Sequence, residues 1–235
     1  MIDKVREEIK QSGDPQKAIF LQRFFKTGKG GYAYGDKFLG ISVPAQRQIA
    51  KKFKSLELPD IEKLITSPIH EERLISLFIL VDKFKKGNEK MQEEIFNFYL
   101  KSTKYINNWD LVDSSAYKIV GQYMISSKRE ELLRRLAASK NLWERRIAIV
   151  ATYQFIINGN SRTTYEIADL LINDRNDLIQ KAVGWMLREA GKKVSSIELE
   201  EFLKPRYKTM PRTMLRYAIE RFDDSKRKAY LKGEI

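Results

Sequence analysis

The stretch Glu71-Glu72-Arg73-Leu74-Ile75-Ser76-Leu77-Phe78-Ile79-Leu80-Val81-Asp82-Lys83-Phe84 decides the fold. Leu74, Leu77, Phe78, Val81 and Phe84 recur at helical spacing and share one helix face. The same period runs through residues 94–100, 111–124, 130–136, 143–157, 165–172, 178–187 and 213–222. Few segments alternate with period two. The breakers fall between the helical segments, at Ser12-Gly13-Asp14-Pro15, Leu58-Pro59-Asp60, Ser67-Pro68, Lys86-Gly87-Asn88, Asn158-Gly159-Asn160 and Met210-Pro211. The expectation is an all-α protein of short helices in close succession. The one non-helical excursion is Thr27–Asp36, in which four glycines accompany Tyr32 and Tyr34; it reads as a flexible loop or a short hairpin.

Composition narrows the chemistry. The 235 residues contain 44 Lys plus Arg against 31 Asp plus Glu, a formal charge of +13, with 43% hydrophobic residues to build a core. That length fits one large domain or a repeat array, and a single domain over residues 1–235 is expected. The absence of cysteine excludes disulfides and thiolate chemistry, and one histidine, His70, excludes His-based triads and multi-His metal sites. No metal or cofactor is expected. No apolar run has the length of a membrane helix, and the Met1-Ile2-Asp3-Lys4 start lacks an apolar leader, so a cytoplasmic protein with no membrane association is expected. A strongly basic chain points to a polyanion such as nucleic acid. His70, just after Ser67-Pro68-Ile69, reads as a surface or first-turn residue rather than a ligand.

Four segments can be laid over one another: Glu72-Arg73-Leu74-Ile75, Val112-Asp113-Ser114-Ser115, Arg145-Arg146-Ile147-Ala148 and Gln180-Lys181-Ala182-Val183. Their second residues are 40, 33 and 35 apart, the spacing of helix-pair solenoids whose inner helices line a concave surface. Arg73, Arg146 and Lys181 are then expected to line one groove facing a polyanion. Asp113 occupies the fourth position, where a phosphate backbone would repel it. It either pairs with an arginine, caps a helix, or performs chemistry. Trp109 lies four residues before Asp113 and Trp185 four after Lys181, so each shares a face with its aligned residue. Trp143 could join them or sit in the core. A carboxylate between aromatic faces suits an oxocarbenium-like transition state. A purine made cationic by alkylation leaves as a neutral base and needs no second, acidic carboxyl.

The strings Asn108-Trp109-Asp110-Leu111-Val112-Asp113, Trp143-Glu144-Arg145-Arg146 and Lys181-Ala182-Val183-Gly184-Trp185-Met186-Leu187-Arg188-Glu189 resemble the AlkD-like DNA alkylation repair family. Phe38-Leu39-Gly40-Ile41-Ser42-Val43-Pro44, with Arg47 after it, is also similar, and the resemblance runs from about Ala18 to Glu189. It implies a HEAT-like helical-repeat solenoid that holds duplex DNA in a concave basic cleft and excises N3- or N7-alkylated purines as a monofunctional glycosylase in base excision repair. Asp113 would be the catalytic carboxylate, Trp109 and Trp185 would pack against the lesion's deoxyribose, and Arg146 would hold the backbone. Arg73, Lys181 and Arg47 are further candidate DNA contacts; Arg145 and Arg188 are either phosphate contacts or partners of Glu144 and Glu189. The partner would be double-stranded DNA carrying alkylated purines, bound by a monomer.

Two features depart from the simplest members of the family. The Gly-rich stretch resembles insertions in relatives that bind branched DNA with little glycosylase activity, and the chain beyond Arg206 matches less clearly. The alternative is therefore a non-catalytic binder of branched or damaged DNA that uses the same groove, with Tyr32 and Tyr34 in contact with the DNA. A scaffold for acidic proteins is a third reading. Lys204–Lys232 holds ten cations and three acids, a net +7, which places a basic grip at that end.

Overall fold

The computed structural model describes residues 1–127 and 130–235. Helices are the regular structure of the described residues, which contain no strand; a single parallel bridge joins Lys37 to Ile69. The all-α expectation is met. Helix ends fall where the sequence offers caps. Asp14 precedes α2 (Pro15–Phe24) and accepts from the amides of Gln16 and Lys17 at 3.0 and 3.1 Å, with Pro15 in the first turn. Asn88, Asn141 and Asn176 cap α6 (Glu89–Lys101), α10 (Leu142–Ala151) and α13 (Asp177–Lys193) in the same way. Each such cap is worth about 1 kcal/mol.

The chain divides into two compact units, Met1–Ser115 and Ala116–Ile235. In the first unit α5 (His70–Lys86) packs against α1 (Ile2–Gln11), α3 (Val43–Lys52), α4 (Leu58–Ile65) and α6. Neighbours on several sides bury every residue from His70 to Leu80. Ile75, Ile79 and Leu80 therefore join the predicted stripe in the interior, while Val81 is only half-buried.

The Thr27–Asp36 stretch is a run of turns and forms no hairpin. It is anchored by Ala33, buried in a cluster with Ala18, Phe25 and Phe38, against which Tyr32 and Trp109 pack. Downstream, Phe38 to Ile41 is fixed by Glu71. This buried carboxylate accepts from the amides of Leu39 (3.0 Å), Gly40 (2.8 Å) and Ile41 (3.3 Å). Gly40 sits at φ +85°, and a Cβ there would lie 2.1 Å from the Asp14 carbonyl oxygen, so this turn admits only glycine.

In the second unit α13 is central, packed on α10, α12 (Arg162–Leu170), α14 (Ser196–Leu203) and, most extensively, α15 (Arg212–Ala218). Gly184 permits that last contact: a Cβ on it would be 2.5 Å from both the Met214 carbonyl oxygen and Tyr217 Cβ. The predicted helix over 111–124 is α7 (Trp109–Ala116), a π-helical turn (Tyr117–Gly121) and α8 (Gln122–Ser127). The predicted 143–157 helix divides at Thr152 into α10 and α11 (Tyr153–Ile157).

Candidate functional site

The first turn of α7 carries Trp109 and Asp110, and Asp113 follows one turn later on the Trp109 face. Trp109 is half-buried and held on three sides. Its indole Nε1 donates to the Tyr32 hydroxyl at 3.0 Å, its ring stacks on Phe25 with centroids 5.2 Å apart, and Phe24 meets it edge-on at 6.1 Å. Asp113 is partly exposed. Nearby, burial pushes the Tyr99 hydroxyl above the ordinary phenol range; its 2.9 Å bond to Ser115 opposes the shift and the negative charge of Asp113 adds to it.

Asp110, off the Trp109 face, ends on a buried charge cluster. His70 opens α5 and is 2% exposed, which corrects the surface reading although its first-turn position stands. Its Nε2 donates to Asp110 at 2.8 Å and its Nδ1 to Asp36 at 3.2 Å. The ring stacks on Phe38, with centroids 4.4 Å apart. With a carboxylate at each nitrogen, the ring is best satisfied with both nitrogens protonated. Burial alone would lower its pKa, but the charge and hydrogen bond of Asp110 and the bond to Asp36 prevail, and it rises to about 8. Asp36 also takes Arg73 Nη2 at 2.7 Å. Burial opposes its ionisation, yet the bonds and charges of His70 and Arg73 hold its pKa below the ordinary carboxylate value. Two acids and two cations thus cancel within the interior, tying the Gly-rich stretch, α5 and α7 together.

Arg73 is consequently absent from the surface. It is 3% exposed, with Nη1 on the Ser67 carbonyl at 2.8 Å and Nη2 on Asp36. Arg146 is 5% exposed and donates to the Leu178 carbonyl, and Trp143 beside it is buried. The aligned cations expected along one groove therefore do not share an exposed face, because two of the three are buried. Lys181 is partly exposed and pairs with Asp177 at 2.6 Å. Arg145 pairs with Asp174 at 2.7 Å rather than with Glu144, and Arg188 pairs with both Glu189 and Glu220. Trp185 is half-buried in a row of rings, 6.2 Å from Tyr153, which meets Tyr117 edge-on at 5.2 Å. Lys193 and Lys118 lie over the Tyr153 and Tyr117 rings. Tyr34 is 69% exposed.

Folding also assembles a cationic depression that the linear sequence hides. Arg47, its guanidinium 4.1 Å from the Phe78 ring centre, lines it with Lys51 of α3, Lys54 of the turn that follows, and Lys85 and Lys86 of α5. Its volume is about 340 Å³. Asp82, the only acid on its walls, pairs with Lys86 at 2.7 Å. Among the described residues no group of His, Asp and Glu is placed to hold a metal ion, and no helix is long and apolar enough to cross a membrane.

The first unit thus holds a partly exposed carboxylate one turn from an anchored indole, and a cationic depression around Arg47, on an all-α scaffold. Comparison with known proteins makes this specific. The sequence profile described as DNA alkylation repair enzyme matches residues 5–222, and the chain belongs to that family. The solved structure described as a predicted DNA alkylation repair enzyme from Enterococcus faecalis shares the fold, with a TM-score of 0.70 at 16% identity, over 91% of this chain and 98% of that one. No curated protein matches the sequence.

Proposed function

We propose that the chain is a monofunctional DNA glycosylase that excises N3- or N7-alkylated purines from duplex DNA. The observation that carries this reading is the pair on α7: Trp109, its orientation fixed by Tyr32, Phe24 and Phe25, and Asp113 one turn further on the same face. In this mechanism the C1′–N bond breaks with its electrons passing to the cationic purine, which departs neutral. Positive charge develops on the sugar. The Asp113 carboxylate stabilises that charge and orients a water, which adds to C1′ and gives up a proton. Trp109 packs against the deoxyribose, and Trp185 is a second aromatic contact to the DNA. The lysines around Arg47 bind phosphates, with Lys181, Arg145 and Arg188 as further backbone contacts. Arg73 holds Asp36 instead. No cofactor enters this reaction.

Methylated duplex DNA incubated with the protein should release 7-methylguanine or 3-methyladenine, identified by mass. Asp113→Asn should lose release at least a hundredfold and keep duplex affinity; release at the wild-type rate would remove Asp113 from the chemistry. A second reading, a binder of branched DNA, is favoured by the exposure of Tyr34. It predicts that deleting Gly28–Gly35 weakens binding to a four-way junction more than to a linear duplex.

A further inference from the structure

Helix α2 buries only Ala18, and it presents Phe20 and Phe24 to solvent at 65% and 53% exposure. They stand one helical turn apart with nearly parallel rings, 16° between planes and centroids 6.2 Å apart. The row continues inward, since Phe24 meets Trp109 edge-on at 6.1 Å. Two aromatic faces left open on one helix mark an interaction surface rather than scattered exposure.

The charge around them is one-sided. From Pro15 to Lys37 the cations Lys17, Arg23, Lys26, Lys29 and Lys37 are all exposed. Lys17 pairs with Asp14, just outside this stretch. Its one acid, Asp36, is buried against His70 and Arg73 and offers the surface no negative charge. Flat rings flanked by cations match a strand of unpaired nucleotides, whose bases stack on the rings while its phosphates meet the amines. A duplex cannot use the ring faces in this way, because its bases are stacked on one another. An acidic peptide would satisfy the cations and leave the rings exposed.

We propose that the outer face of α2 is a docking site for unpaired nucleotides, with Phe20 and Phe24 as the stacking platform. This platform borders the proposed excision site through the Phe24–Trp109 contact, but strand binding on it does not depend on the chemistry assigned to Asp113. The test is fluorescence anisotropy with a labelled 16-nucleotide deoxyadenosine strand, an abasic strand of equal phosphate number and a 16-base-pair duplex. Wild type should bind the deoxyadenosine strand at least about tenfold tighter than the abasic one. Phe20→Ala should lower affinity for that strand severalfold, and Phe20→Ala/Phe24→Ala about tenfold or more. The abasic strand should bind the double variant as it binds wild type, and Phe20→Ala should bind the duplex like wild type. Asp113→Asn should keep full single-strand affinity, so failure of the excision reading leaves this one standing. Unchanged strand binding by the double variant would overturn the proposal, as would equal losses on all three ligands. Loss of sedimentation with phosphatidylserine vesicles but not of strand binding would also overturn it, assigning the face to a membrane. Thermal melting confirms that the variants are folded.

Discussion

His70 offers a direct measurement of the buried cluster, because it is the only histidine in the chain and gives a single imidazole resonance. The groups facing it are Asp36 from the loop, Asp110 from α7, Arg73 from its own helix, and the rings of Phe25 and Phe38. Its pKa is raised from 6.5 to about 8. A shift of that size corresponds to about 2 kcal/mol of preference for the charged ring in the folded state. For a base whose pKa is raised on folding, this stabilisation is complete below pH 6.5 and is lost as pH rises through 8. Asp36 behaves in the opposite sense. Its pKa is held below 3.8, so its contribution is present above that pH and is lost on acidification.

The perturbation is therefore alkali, with His70→Gln as the control that cannot titrate. Urea unfolding between pH 6 and pH 9 should show wild type losing about 2 kcal/mol more than the variant, with the steepest change between 6.5 and 8. If His70→Gln does not fold, the proton resonance of His70 in the wild-type protein gives the same answer by titration. A midpoint at or below 6.5, or a wild-type stability flat across this range while the resonance titrates, would refute the two-carboxylate account of the cluster.

Three further outcomes follow from the same geometry. Arg73→Met leaves Asp36 buried with half of its compensation, so stability should fall by about 3–5 kcal/mol while the salt dependence of duplex binding stays the same; a reduced salt slope would return Arg73 to the DNA surface. Gly184→Ala forces α13 away from Met214 and Tyr217, and thermal unfolding should show a loss of about 1–3 kcal/mol or more; a neutral result would mean that the helix pair is looser than the distances indicate. Replacing Lys51, Lys54 and Lys85 together by Gln should lower the slope of log affinity against log salt by about 2 to 3, and an unchanged slope would move the phosphate contacts elsewhere.

The helices were legible because their signal is local. Periodicity, Pro59, Pro68 and the Asn caps lie within a few residues of what they control. The enclosure of α5 from His70 to Leu80 was less legible, since the Leu74–Phe84 stripe accounts for one face; the unbroken run Leu77-Phe78-Ile79-Leu80 was the available sign that more than one face is covered. Repeat alignment located Arg73 and Arg146 on their helices but could not tell that they are buried. That depends on acceptors far away in the chain, Asp36 for one and the Leu178 carbonyl for the other, at separations of 37 and 32 residues. His70 was hidden in the same way, with carboxylates 34 and 40 residues distant. The Gly-rich stretch carried its own clue in the alternation of Tyr32, Ala33 and Tyr34. The small residue between two aromatics goes into the core, one tyrosine fixes Trp109, and the other faces water.

The excess of positive charge also has a different distribution from the one that counting suggests. Lys204–Lys232 carries a net +7, but at least four of its ten cations are compensated locally. Arg206 pairs with Asp169, Lys226 with Glu200, and Arg227 and Lys228 share Asp224. The cluster around His70 is neutral when the ring is protonated, so it adds nothing to the surface field. By contrast, Lys51, Lys54 and Lys85 have no ion-pair partner among the described residues, and the one carboxylate in their depression already holds Lys86. A phosphate displaces only counterions from such lysines, whereas at Arg227 or Lys228 it must compete with a carboxylate. The salt slope of DNA binding should therefore respond more to substitution of Lys51, Lys54 and Lys85 than to substitution of Arg206, Arg227 and Lys228, despite the larger net charge of the last segment.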